Sequence, residues 1–116
     1  MPPSNPGIKL PLKPAVFHIL LALSEQHRHG LGIADEVEAS TAGSIRLGPG
    51  TLYRSLKEMT RDGLVEEAAP PGDGEDPRRK FYRITAAGSA LLQSEASRYE
   101  RIVEVARQRH VLPEAR

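Results

Sequence analysis

One stretch of the chain carries side chains of the kind that grips nucleic acid. Residues 48–61 read Gly-Pro-Gly-Thr-Leu-Tyr-Arg-Ser-Leu-Lys-Glu-Met-Thr-Arg, with hydroxyls and cations at Thr51, Tyr53, Arg54, Lys57 and Arg61. Leu52, Leu56 and Met59 recur at spacings that put them on one helical face, which leaves the polar set on the others. Pro49 suits a first helical position, where no N–H is needed, and Gly63 suits the residue just past the end. A helix of this kind, presented by its Gly50 end, can offer N–H groups and hydroxyls to phosphates and cations to guanine edges in a major groove. Arg54 and Lys57 are the expected base readers, and Thr51 and Tyr53 the expected phosphate contacts. In isolation the stretch also reads as an ordinary surface helix whose charged face meets water, so its neighbours must choose between the two.

Other chemistries find little support. The chain has no cysteine and only four scattered histidines, so neither a disulfide framework nor a structural metal site is expected. No nucleophile pairs with a base and no glycine-rich phosphate loop appears, so no catalytic residues, cofactor or enzyme activity are expected. No apolar run is long enough to span a bilayer and no signal peptide is visible, which makes a soluble cytoplasmic protein the expectation. The formal net charge is +1, so any case for a polyanionic partner rests on where the charges lie.

The elements that would position the stretch can be taken in order. Residues 1–10, with prolines at 2, 3 and 6, are expected to form a flexible arm. A first helix is expected from Pro14 to about Gln26. Its Val16, Phe17, Ile19, Leu20, Leu21 and Leu23 are too many for a single stripe, so it needs cover on two sides, from the core and from a second element or another subunit. His27-Arg28-His29-Gly30 reads as a turn with surface histidines. A second helix is expected over 31–40, with Ile33, Ala34 and Val37 inward. Ile45-Arg46-Leu47 alternates like a very short strand. Two short helices, the second polar-faced, form a helix-turn-helix.

Two strands are expected next, at 64–68 and 80–84, separated by the breaker Ala-Pro-Pro-Gly-Asp-Gly-Glu-Asp-Pro. They make a wing, with Phe81 and Arg83 on one face and Lys80, Tyr82 and Ile84 on the other. Arg78, Arg79 and Lys80 lie at its foot, where they can hold phosphates. Asp73, Glu75 and Asp76 lie at its tip, which is expected to splay outward from them or stay mobile. Thr85 is a plausible N-cap for a helix over 86–112. At ~1.5 Å per residue it would reach roughly 40 Å, beyond the rest of a small domain. Leu92, Ala96, Tyr99, Val103, Ala106 and His110 form a heptad seam, widened by Leu91, Ile102 and Val105. The seam either folds back on its own core or pairs with a second copy, for which Phe17 and Leu21 offer matching surface. Its length favours pairing for the second half. The expected class is α+β, mostly α, with a DNA-binding domain at 11–85, a dimerisation helix at 86–112 and a tail at 113–116. A protein-docking winged-helix module is the alternative.

The residues also match a family. Gly-Pro-Gly-Thr-Leu-Tyr-Arg-Ser-Leu at 48–56, Asp-Gly-Leu-Val at 62–65 and Asp-Pro-Arg-Arg-Lys-Phe-Tyr-Arg-Ile-Thr-Ala-Ala-Gly at 76–88 resemble the PadR family of bacterial transcriptional regulators. The likeness extends upstream through Ile-Leu-Leu-Ala-Leu at 19–23 and His29-Gly30. It implies a winged helix-turn-helix and a homodimer formed through the C-terminal helix. It implies double-stranded, palindromic operator DNA as partner, usually under repression, with Tyr53 at the DNA face. Small apolar or aromatic ligands release some members. An aromatic residue commonly follows the glycine, where this chain has Leu31-Gly32, and the single C-terminal helix is that of the short subfamily.

Overall fold

The computed structural model describes residues 10–72, 74, 76 and 78–113. The expected arm, apart from Leu10, lies outside them, as do Asp73 and Glu75 of the wing tip and residues 114–116 of the tail. The described elements are α1 (Pro14–Leu23), β1 (Arg28–His29), α2 (Gly30–Ser40), α3 (Pro49–Arg61), β2 (Val65–Ala68), β3 (Phe81–Ile84) and α4 (Ala86–Gln108). None of these helices is long and apolar enough to cross a membrane.

α1 is the central strut. Pro14 opens it, and its Ile19, Leu20, Ala22 and Leu23 are buried against α2, α3, α4 and β3. It stops at Leu23 rather than Gln26, where Ser24 folds its hydroxyl back to donate to Leu21 O at 2.6 Å. Ile33 and Val37 of α2 and Leu52, Leu56 and Met59 of α3 complete the helical core. Each such side chain contributes roughly 1.5–3 kcal/mol when fully buried.

The three-stranded antiparallel sheet has the order β1-β3-β2. Within residues 27–30, expected as a turn, Arg28 and His29 supply one of its two edge strands instead, with Arg28 opposite Tyr82 and His29 opposite Phe81. The signal was weak because the strand is two residues long and exists only by pairing with β3. Arg28 anchors it: Nε donates to Ala22 O at 2.8 Å and the guanidinium reaches Glu25 and Glu36. The strand expected at 45–47 does not form. Ile45 N–H donates to the Thr41 hydroxyl at 3.1 Å, and half-buried Ile45 and Leu47 pack on the core from an irregular connection. On β3 both Phe81 and Tyr82 are buried. Tyr82 joins the helical core, whereas Phe81 packs perpendicular to the His29 ring on the opposite face, 5.3 Å between centroids.

Two junctions fix α3 and α4 relative to the sheet. α3 ends in a Schellman motif: Leu64 N–H reaches Met59 O and Gly63 N–H reaches Thr60 O, with Gly63 at φ 76°. Thr85 then caps α4 by accepting from Gly88 N–H at 3.0 Å, while its hydroxyl donates to Gly63 O at 2.6 Å. α4 passes so close to the connection leading into β2 that a Cβ on Gly88 would clash with Leu64 O.

α4 divides along its length. Leu91, Leu92 and Glu95 are buried in the chain's own fold, so Leu92, expected in the intermolecular seam, belongs to the core at 8% exposure. Tyr99 meets Phe17 edge-on within the same chain, 4.9 Å between centroids. Val103 and Ala106 are half-buried and Ala96 is exposed. Ile102, Val105 and, on α1, Leu21 are exposed apolar residues. The helix ends at Gln108 rather than about Leu112. His110 turns to φ 60°, with Val111 N–H on Ala106 O and His110 N–H on Arg107 O, so His110 falls off the seam.

The sequence reading missed Glu95. It is 4% exposed, and its carboxylate accepts from Leu12 N–H at 2.9 Å and from the Arg98 guanidinium at 2.9 and 3.2 Å. The Arg98 contacts hold its carboxyl below the usual carboxylate range, against the opposing effect of burial, with Leu12 N–H helping. The entry of the chain into α1 is thereby tied to the middle of α4.

Candidate nucleic-acid interface

The outer face of α3 follows from its inner one. Burial of Leu52, Ser55, Leu56 and Met59 turns Gly50, Thr51, Tyr53, Arg54, Lys57 and Arg61 to solvent. Arg54 and Lys57 have no ion-pair partner within 4 Å among the described residues. Arg61 differs, since its Nε lies 3.3 Å from Asp62 Oδ1. Tyr53 is 53% exposed and leans on the start of α2. A Cβ on Gly30 would meet its hydroxyl at 2.5 Å, so the absence of a side chain there lets the hydroxyl end of the ring approach the helix.

At the wing foot, charge is less free than the sequence suggests. Arg78 is taken by Asp76, whose Oδ1 accepts from Arg78 N–H at 2.9 Å and Nε at 3.2 Å and whose Oδ2 accepts from Nη2 at 3.1 Å. Those bonds hold the Asp76 carboxyl below its ordinary range. Lys80 lies 3.7 Å from Glu67, and Arg83 is bonded to Glu66 across the strands at 2.6 Å. Arg79 is the exception: among the described residues its close contact is with His29 Nε2 at 2.8 Å. The basic run, the start of α2 (His29, Gly30, Leu31) and Tyr53 enclose an open cleft of about 390 Å³. The Tyr82 hydroxyl is pushed above its ordinary range by burial first, then by Glu67 and Tyr53.

The structure brings Tyr53 of α3 and the wing foot to one cleft, and adds His29, expected as a turn residue. The hint was its place before a helix, where a side-chain acceptor is wanted: Nδ1 accepts from Gly32 N–H at 3.1 Å and caps α2. His27 is engaged too, with Nδ1 3.2 Å from Ala69 O.

A helix-turn-helix whose second helix carries unpaired cations, followed by a basic-footed wing, defines a winged-helix protein. Residues 19–94 match the transcriptional regulator PadR-like family. The transcriptional regulator Rv3488 of Mycobacterium tuberculosis is 33% identical over 86 residues, spanning 74% of this chain and 76% of that one. A crystal structure of a PadR family transcription regulator from Clostridium difficile superposes with a TM-score of 0.68 at 24% identity, covering 81% of this chain and 95% of that one. RosR of H. salinarum gives 0.61 at 26% identity, covering 89% and 98%. The chain belongs to the PadR-like family of transcriptional regulators.

Proposed function

We propose that this chain is a DNA-binding repressor that acts as a homodimer on a palindromic operator. The observation that carries the reading is the pair Arg54 and Lys57, solvent-facing and unpaired among the described residues on a helix whose opposite face is buried. Cations left without carboxylate partners in this way suit guanine edges and phosphates. Arg79 offers a further backbone contact, whereas Arg78 and Lys80 must first exchange Asp76 and Glu67 for phosphate oxygens. The apolar residues left open along α1 and the second half of α4 support pairing of two copies. Repression is the family's usual outcome. A small apolar or aromatic effector, the kind that releases some members of the family, completes the reading.

Selection from a random duplex pool, followed by titration at several salt concentrations, tests this reading. It expects two inverted half-sites one helical turn apart, ~34 Å between centres, and an affinity that falls steeply with salt. The acid-paired wing (Asp76–Arg78, Glu67–Lys80, Glu66–Arg83) favours one rival, a protein-docking module. That rival expects weak, salt-insensitive DNA association and no enriched sequence.

A further inference from the structure

We propose that the corner between β1, the start of α2 and the wing foot is a socket for one backbone phosphate of bound DNA, with His29 Nε2–H and the Arg79 guanidinium as its two donors. This rests on the DNA-binding reading above and adds a residue and a stoichiometry to it.

The His29 ring faces a donor on each side. Nδ1 lies 3.1 Å from Gly32 N, and Nε2 lies 2.8 Å from Arg79 Nη1. Backbone N–H and guanidinium can only donate, a neutral imidazole has one acceptor nitrogen, and an imidazolium has none. The two contacts therefore are not both hydrogen bonds. The Gly32 contact is part-buried and caps a helix, so Nδ1 keeps the lone pair and Nε2 carries the proton. Two N–H groups are then left facing each other with no acceptor between them. A negatively charged oxygen drawn in beside them satisfies both.

The surroundings favour such a guest. Asp76 is occupied by Arg78, Glu67 by Lys80 and Glu66 by Arg83, and among the described residues no carboxylate lies within 4 Å of Arg79. The cleft of about 390 Å³ has Tyr53 on another wall, so a strand whose groove receives α3 runs its backbone past the socket.

The test uses a duplex that the protein itself enriches from a random pool, with methylphosphonate placed at each position in turn. For the wild type several positions weaken binding, and one of them in each half-site, the socket phosphate, does so about tenfold, as loss of charge-assisted hydrogen bonds does. His29→Asn keeps a residue that caps helices well but does not reach Arg79. It and Arg79→Ala each bind the unmodified duplex about tenfold more weakly and lose less than a further twofold at that position. Lys57→Ala keeps the full penalty there. If both His29→Asn and Arg79→Ala retain the wild-type penalty at every phosphate, the socket is overturned while the DNA reading stands. If the wild type binds no enriched duplex in a salt-dependent way, the reading beneath it fails as well. Should His29→Asn melt early, Arg79→Ala carries the test alone.

Discussion

Arg54 separates the two ways a cation can be used. Arg28 and Arg46 spend their charge inside the protein, on Glu25 and Glu36 and on Glu38, whereas Arg54 is solvent-facing on α3 and outside these ion pairs. Arg54→Ala is expected to weaken operator binding by ~1–3 kcal/mol and to relax base preference at one position. Titration at fixed salt against single-base operator variants measures both, and unchanged affinity with unchanged preference rejects the role. Glu95 makes the opposite use of charge. Its folded carboxyl is held below the ordinary range, so it contributes stability that is fully present above the unfolded value of about 4.3 and is lost as pH falls through the folded one. Glu95→Ala leaves buried Leu12 N–H without an acceptor, at a cost of ~1–3 kcal/mol. Thermal melts from pH 7 to 3 are expected to show the variant less stable at neutral pH, with the gap to wild type closing in acid. A constant gap at every pH would contradict this account.

At the scale of elements, the crossing of α4 over the connection leading into β2 sets where the wing sits relative to α3. The contact is with backbone: Leu64 O would clash with any Cβ at Gly88, and a carbonyl held by Thr85 N–H at 3.0 Å does not swing aside as a side chain would. Gly88→Ala is therefore expected to lift the start of α4 and cost ~1–3 kcal/mol, read as a lower denaturant midpoint with little change in slope. A variant as stable as wild type would mean that the junction gives more easily than its geometry suggests. These elements differed in how legible they were. α3 and the wing strands announce themselves through local spacing, a proline at the start and glycine at the end. β1 has no local signal, because Arg28 and His29 become a strand only when β3 arrives from more than fifty residues later in the chain.

At the scale of the molecule, the chain measures 51 × 32 × 25 Å and leaves Ile102 and Val105 open on the far half of α4. A periodic seam alone predicts that Tyr99 and Val103 are the residues to break. Tyr99 already packs on Phe17 in the same chain, so charging it would confound folding with assembly. The cleaner test is Ile102→Glu with Val105→Glu, which is expected to give monomers in sedimentation that keep the native far-UV circular dichroism, with a melting temperature that no longer rises with protein concentration. Operator affinity should then fall by ~10²-fold or more, because the second half-site loses the effective concentration that linkage provides. A dimer that persists in the double variant argues against pairing through this face.

The amino-acid order by itself determined the winged helix-turn-helix, the polar face of α3, the basic run at the wing foot and the capped start of α4. Each is written in side chains a few residues apart, which is the range over which helical period, turn chemistry and caps act. Only the tertiary structure decided which of those charges are free. Arg78, Lys80 and Arg61 turned out to have acidic neighbours, Arg79 was set against a histidine taken for a loop residue, and Glu95 was folded under the N-terminal entry. Ion pairs and hydrogen bonds form between groups that are close in space, and closeness in space for residues 12 and 95, or 29 and 79, exists only once the chain has closed around α1.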